Sequence, residues 1–185
     1  IGIDGIEVAG EVLIIAVGID DRGTKHILGL WQGATENAQV CKDLIGDMVR
    51  RGLRTNQKYL FVIDGSKALS KAINDVFGPD VLIQRYQIHK RRNVKGYLPE
   101  NYQVAVDNRL KVAYNMKGYD EAKDLLLKTV EYLKEINPSA ARSLEEGMEE
   151  TLAVHRLGLP DILRKTLSST NFIESTLSIT RDVTG

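Results

Sequence analysis

Apolar and polar positions alternate between two periods along this chain. Tyr59-Leu60-Phe61-Val62-Ile63 is an unbroken apolar run that ends on Asp64-Gly65-Ser66-Lys67. A run of that length, bounded by small and polar residues, predicts a buried strand that delivers a carboxylate to its carboxyl end. Three more strand patterns precede it. Residues 1–9 read as a strand with Asp4 inside it, Val12–Ile19 as a second, and Lys25–Trp31 as a third after the turn Asp20-Asp21-Arg22-Gly23. Their short connections predict an antiparallel meander. Thr35-Glu36-Asn37 then opens a helix with apolar positions at Val40, Leu44, Ile45, Met48 and Val49, closed by Arg51-Gly52-Leu53. A second helix runs through Ala68, Leu69, Ala72, Ile73, Val76 and Phe77 to Gly78-Pro79, and Val81–Tyr86 reads as a fifth strand.

From His89 to Leu167 the character changes to Lys, Glu, Leu and Ala with no strand pattern. Helices are predicted over Asp107–Met116, Tyr119–Ile136 and Ser139–Val154, punctuated by Lys117-Gly118 and Asn137-Pro138, with a last helix from Asn171 to Thr180. The organisation expected is one integrated α/β domain. Residues 1–88 form the first part of a core, 89–167 a helical insertion, and 168–185 a final core helix. The order β-β-β-α-β-α-β resembles the ribonuclease-H-like fold. That resemblance implies a mixed five-stranded sheet flanked by helices, with the first and fourth strands side by side and Asp4 next to Asp64.

Charge and composition narrow the function. The 185 residues carry 25 Lys plus Arg against 25 Asp plus Glu, so the formal charge is zero. A nucleic-acid partner must then be held by a local patch or by a region outside the chain. The single cysteine, Cys41, excludes an internal disulfide and a multi-cysteine zinc site and fits a reducing cytoplasm. No apolar run approaches the roughly 20 residues of a membrane span. The chain opens on a strand pattern without Met, as a piece of something longer would.

Charged residues are seldom placed in strands that must be buried. Two carboxylates on two such strands point to a divalent cation, and Asp and Glu oxygens suit hard Mg²⁺ or Mn²⁺. Glu174, in Ser169-Thr170-Asn171-Phe172-Ile173-Glu174-Ser175, is a third candidate. Asn171 with Glu174 three residues later also matches a capping box, and spacing leaves both roles open. His89-Lys90-Arg91-Arg92 with Lys95 is the densest basic run, readable as a phosphate contact or as a solvated helix face. Trp31 and Tyr59 read as core or strand residues, Glu7, Asp20, Asp21 and Asp43 as surface or turn acids, and Cys41 as a small apolar filler. Glu36 lies near a helix start, where the dipole favours it, and is kept as an acid flanking the pair. His155 reads as structural.

Five segments in order resemble the catalytic domain of bacterial insertion-sequence transposases related to the Mutator transposases. They are Ile3-Asp4-Gly5-Ile6, Ala16–Gly23 continuing through Ile27–Trp31 to Glu36-Asn37, Arg51-Gly52-Leu53 with Ile63–Leu69, Glu145–Gly158, and Ser169–Ser175. The resemblance implies a catalytic and metal-holding triad of Asp4, Asp64 and Glu174, with Gly65, Ser66 and Asn171 supporting it. It further implies two Mg²⁺ or Mn²⁺ ions and metal-dependent DNA strand cleavage and strand transfer. The partners implied are double-stranded DNA at element ends and target, and other copies of the chain assembled on DNA, in the bacterial cytoplasm at the nucleoid and without membrane. The family usually carries Cys-x-x-His after the fifth strand. Here Tyr86 stands in the Cys place before His89, so a packing or DNA-contact role is expected for His89. Two other readings are an inactive DNA-binding remnant and another two-metal nuclease or phosphoryl-transfer enzyme. The meander speaks against a doubly wound phosphatase.

Overall fold

A computed structural model of the chain describes residues 1–8, 10–169 and 173. Five strands form one sheet: β1 (Gly2–Val8), β2 (Glu11–Ile19), β3 (Lys25–Gln32), β4 (Leu60–Ile63) and β5 (Leu82–Arg85). Their order is β3-β2-β1-β4-β5. β1 runs antiparallel to β2 and β2 antiparallel to β3, as the short connections require. β1 and β4 are parallel, with Gly2 opposite Val62 and Ile3 opposite Ile63. Two helices belong with these strands, α1 (Ala38–Arg50) between β3 and β4 and α2 (Lys67–Phe77) between β4 and β5. This element order on a mixed sheet is the ribonuclease-H-like arrangement.

Local sequence explains each of these elements. At the β2–β3 turn Asp20 Oδ1 accepts from the backbone N–H groups of Arg22 and Thr24, at 2.9 and 2.8 Å, a side-chain mimic of a backbone turn. α1 begins where Asn37 accepts from the N–H groups of Gln39 and Val40, so Asn37 is the cap of the Thr35-Glu36-Asn37 signal. It buries Cys41, Leu44, Ile45 and Met48, one helical face. α2 is capped by Ser66 and buries Leu69, Ala72 and Ile73. Both faces join Ile3, Ile14, Ala16, Phe61, Ile63 and Ile83 of the sheet in one core. Each such Leu, Ile or Phe contributes about 1.5–3 kcal/mol when fully buried. Tyr59, Phe61 and Phe77 interlock edge-on or tilted at 4.9–6.1 Å, tying the end of α2 to β4. Ile15, Val17 and Val62, at alternate positions to that core, are buried as well. Burial at both parities is why these strands read as apolar runs rather than as alternation.

The described residues divide into two compact units, one made of 1–83 with Ile173 and the other of 84–169. The second unit is helical among its described residues. It holds α3 (Gln87–Gly96), α4 (Glu100–Asn115), α5 (Tyr119–Ile136), α6 (Pro138–Glu145), α7 (Met148–Thr151), α8 (Ala153–Arg156) and α9 (Asp161–Leu167). α5 has the predicted bounds, and α4 begins seven residues before the predicted helix. The helix expected over Ser139–Val154 is three short pieces: Gly147 adopts a left-handed φ of 65° between α6 and α7, and Leu152 leaves the helical backbone between α7 and α8. α3 and α9 were not anticipated as separate helices. The core of this unit runs through Val94, Leu98, Val106, Leu110, Leu126, Val130, Leu133, Leu144 and Leu152.

Polar side chains close the helix ends in this unit. Asn137 caps α6 and donates from Nδ2 to Tyr97 O at 2.7 Å. Gln84 bridges both ways, accepting from Val154 N at 2.9 Å and donating to Thr151 O at 2.9 Å. Arg164, 3% exposed, donates from Nη1 to Tyr114 O at 2.8 Å and closes the last turn of α4. His155 Nε2 lies 3.1 Å from the same carbonyl, and burial above all holds its pKa below the ordinary range. It is the structural histidine the sequence suggested.

Two ion-pair clusters tie α3 to its neighbours. Lys90 is buried, and its Nζ donates to Ser143 O at 2.7 Å and to Glu146 O, and pairs with Glu146 Oε2 at 3.0 Å. Arg85 Nη1 reaches both oxygens of Glu146 at 3.0 Å. Arg91 grips Asp107 with two parallel bonds of 3.0 and 2.8 Å, and Lys111 and Lys95 approach the same carboxylate at 3.0 and 3.6 Å. Partial burial alone would raise the pKa of both acids. Hydrogen bonds from Arg85 and Lys90 outweigh it at Glu146, and those from Arg91 and Lys111 outweigh it at Asp107, so both carboxyls sit at about 2.

Two outcomes follow from this unit. Gly147→Ala places a methyl against the Arg85 guanidinium and strains the left-handed backbone. Denaturant unfolding of that variant should show a loss of about 1–3 kcal/mol. The depressed carboxyls give stability that is full above their ordinary values of 3.8 and 4.5 and is lost as pH falls toward about 2. The unfolding midpoint should therefore drop across that window, and Asp107→Asn should flatten the drop.

Candidate functional site

The register of β1 and β4 carries the site. Ile3 and Ile63 are opposite each other and fully buried. The next residue on each chain is an acid, Asp4 and Asp64. Parallel neighbours on adjacent strands lie ~4.8 Å apart, so the two acids hold equivalent backbone positions just past the point where the β1–β4 pairing ends. Both residues are half-buried. Asp64 follows the last residue of β4, at the carboxyl edge where α/β sheets collect ligands. Asp4 Oδ1 accepts from Gly5 N at 2.9 Å.

Asp64 is fixed at both oxygens. Oδ1 accepts from the Ser66 backbone N–H at 2.9 Å, and Oδ2 accepts from the Thr35 hydroxyl at 2.8 Å. Ser66 also caps α2, accepting from Leu69 N at 3.1 Å, and its hydroxyl donates to the Thr35 carbonyl. Cys41 Sγ donates to that carbonyl at 3.0 Å. Burial, then the negative charges of Asp64 and Glu36, push the Cys41 thiol up to about 11, so it stays a thiol. It packs as an apolar filler, but it also donates. Glu36 is exposed, with Oε2 3.3 Å from the Thr35 hydroxyl.

Among the described residues no lysine or arginine pairs with Asp64. Two acids at equivalent positions of neighbouring strands, one of them held by neutral donors, have the chemistry of a hard-cation site. They fit Mg²⁺ or Mn²⁺ as the first two oxygen donors. No third His, Cys, Asp or Glu completes a three-ligand cluster among the described residues. Glu174 and Asn171 lie outside the described residues. Ile173, between them, is described and is 1% exposed.

The predicted basic run lies on α3. Lys90 is buried with its three donors taken, and Arg91 and Lys95 are engaged with Asp107. His89 is half-buried with its ring 5.6 Å from that of Tyr86, and Arg92 is exposed. Tyr86 itself is 1% exposed, a core side chain in the place of the family's usual Cys. Trp31 and Tyr59 pack against the core of the first unit, as the sequence suggested. Thr35 escaped sequence reasoning. The only signal at that position was a helix start, and the start itself belongs to Asn37.

Comparison with known proteins gives a single direction. The family model described as "Transposase, Mutator family" matches residues 4–183. The chain is 32% identical over 167 residues to a transposase for insertion sequence element ISRM5 of Rhizobium meliloti (strain 1021), covering 90% of this chain and 41% of that protein. It is 27% identical over 173 residues to a probable insertion-sequence transposase of Corynebacterium diphtheriae, covering 93% of this chain and 49% of that protein. A transposase for insertion sequence element IS1201 of Lactobacillus helveticus is 27% identical over 165 residues, with 89% and 43% covered. The chain thus spans less than half the length of these relatives. No helix among the described residues is long and apolar enough to cross a membrane. With a match that begins at Asp4 and runs almost to the last residue, the chain belongs to the Mutator family of transposases.

Proposed function

We propose that this chain is the catalytic core of a transposase that cuts DNA strands at the ends of a mobile element and joins them to a target. Asp4 and Asp64 are the first two acids of a metal-dependent site, and Glu174 is the third. The observation that supports this reading is the β1–β4 register, in which Ile3 lies opposite Ile63 and each isoleucine is followed by an acid.

The residues have separable tasks. Asp4 and Asp64 hold Mg²⁺ or Mn²⁺ through carboxylate oxygens, and Glu174 completes the donor set. Bound divalent cations supply charge neutralisation at a phosphodiester and lower the pKa of a bound water or hydroxyl. Asp64 keeps one orientation because Ser66 N–H and the Thr35 hydroxyl each occupy one of its oxygens. The protein's part is largely positioning and electrostatic, as in other phosphoryl transfers. Arg92 and His89 on α3 contact the DNA backbone, while Lys90, Arg91 and Lys95 hold α3 in place. Element ends and target DNA are the partners, with copies of the chain assembled on them.

Asp64→Asn changes one oxygen to an amide and should leave the circular-dichroism spectrum and melting cooperativity intact. Mg²⁺-dependent nicking of a supercoiled plasmid should fall by roughly 100-fold or more. Nicking at the unsubstituted rate would reject the assignment. Arg92→Ala should weaken DNA binding at every sequence and lower the slope of log affinity against log salt by about 1. An unchanged slope, measured by fluorescence anisotropy, would remove Arg92 from the interface.

A further inference from the structure

The geometry points to Thr35 as a positioning residue that aims Asp64 at its cation without neutralising it. This rests on the reading of Asp64 as a metal-holding acid, and adds a residue that neither its position nor its type suggested.

Thr35 is 3% exposed, in the connection between β3 and α1, 29 residues before Asp64. A buried threonine outside regular structure needs partners for its polar atoms. Its hydroxyl has one proton and two carboxylates in reach, Asp64 Oδ2 at 2.8 Å and Glu36 Oε2 at 3.3 Å. The shorter, better bond goes to Asp64. The backbone of Thr35 is fixed in turn, because its carbonyl accepts from both the Ser66 hydroxyl and Cys41 Sγ. The hydroxyl therefore sits on a braced segment tied to α1 through Cys41 and to the cap of α2 through Ser66. That brace makes it a rigid donor.

The choice of donor matters chemically. An ionised carboxylate offers about four lone-pair sites on two oxygens. Ser66 N–H takes one at Oδ1 and Thr35 takes one at Oδ2, which leaves acceptor capacity on each oxygen. A lysine or arginine in the place of Thr35 would orient the group equally well, but its charge would compete with the cation. A neutral hydroxyl fixes the side-chain torsions and keeps the full negative charge for the metal. Outer partners of this kind hold metal-ligating carboxylates in register, and removing one typically lowers metal affinity or activity by 10- to 100-fold.

The test is Mn²⁺ binding, followed by electron paramagnetic resonance, on the chain and four variants, with Mg²⁺-dependent nicking measured in parallel. Thr35→Val keeps the shape and removes the hydroxyl. It should raise the Mn²⁺ dissociation constant by roughly 10-fold or more and move the Mg²⁺ midpoint of nicking in the same direction. Thr35→Ser keeps the hydroxyl and should stay within about threefold of the unsubstituted chain. Thr35→Ala differs from Thr35→Ser only in the hydroxyl. That pair repeats the comparison if Thr35→Val does not fold. Asp64→Asn should lose Mn²⁺ binding. If Asp64→Asn loses binding while the variants lacking the hydroxyl bind as tightly as those that keep it, the positioning role is overturned and the metal reading stands. If Asp64→Asn binds Mn²⁺ normally, the metal reading itself fails and the role of Thr35 falls with it.

Discussion

The parallel pairing of β1 with β4 is the constraint on which the site depends. Only two residue pairs define it, Gly2 with Val62 and Ile3 with Ile63. Its register is nonetheless well specified, because Ile3 and Ile63 are both fully buried in the same core. A slip of one residue would turn an isoleucine out and an aspartate in, at a cost no surface interaction could offset. Hydrophobic burial thus sets the placement of two charges. A parallel neighbour also requires a crossover, and β2, β3 and α1 provide the intervening chain.

Around that pairing the loops are tied by few but buried polar contacts. Thr35, Cys41, Asp64 and Ser66 come from the start of α1 and from the end of β4 with the start of α2, and they share donors and acceptors in one patch. Each is a short side chain with little rotamer freedom to lose. Ser66 serves three ends at once, as the cap of α2, a donor to the Thr35 carbonyl and the backbone donor to Asp64. A site held this way gains precision from the helix starts that the fold already needs.

The helical unit puts its charges to a different use. A neutral chain can have a strongly basic segment, and the run on α3 invites a nucleic-acid reading. Lys90 and Arg91 are instead taken up by Glu146 and Asp107. Removing Glu146 would leave the buried Lys90 ammonium uncompensated, and removing Arg91 would take the two-bond partner from the largely buried Asp107. Arg92 of the same run is exposed. Sequence showed the charge of the run but not the acids 16 and 56 residues further on that face it.

By itself the sequence determined the elements of the first unit. The apolar run ending at Asp64, the strand pattern around Asp4, the capping signal at Asn37 and the helical periods of α1 and α2 are local. Strand and helix patterns depend on neighbours a few positions away. The resemblance of their order to the ribonuclease-H-like fold then implied that the first and fourth strands lie together, as they do. Tertiary structure alone decided the break at Gly147, which accommodates the Arg85 guanidinium, the capture of Lys90, and the bond from Thr35 to Asp64. These join residues far apart in the chain, and their worth comes from desolvation, which no local pattern records.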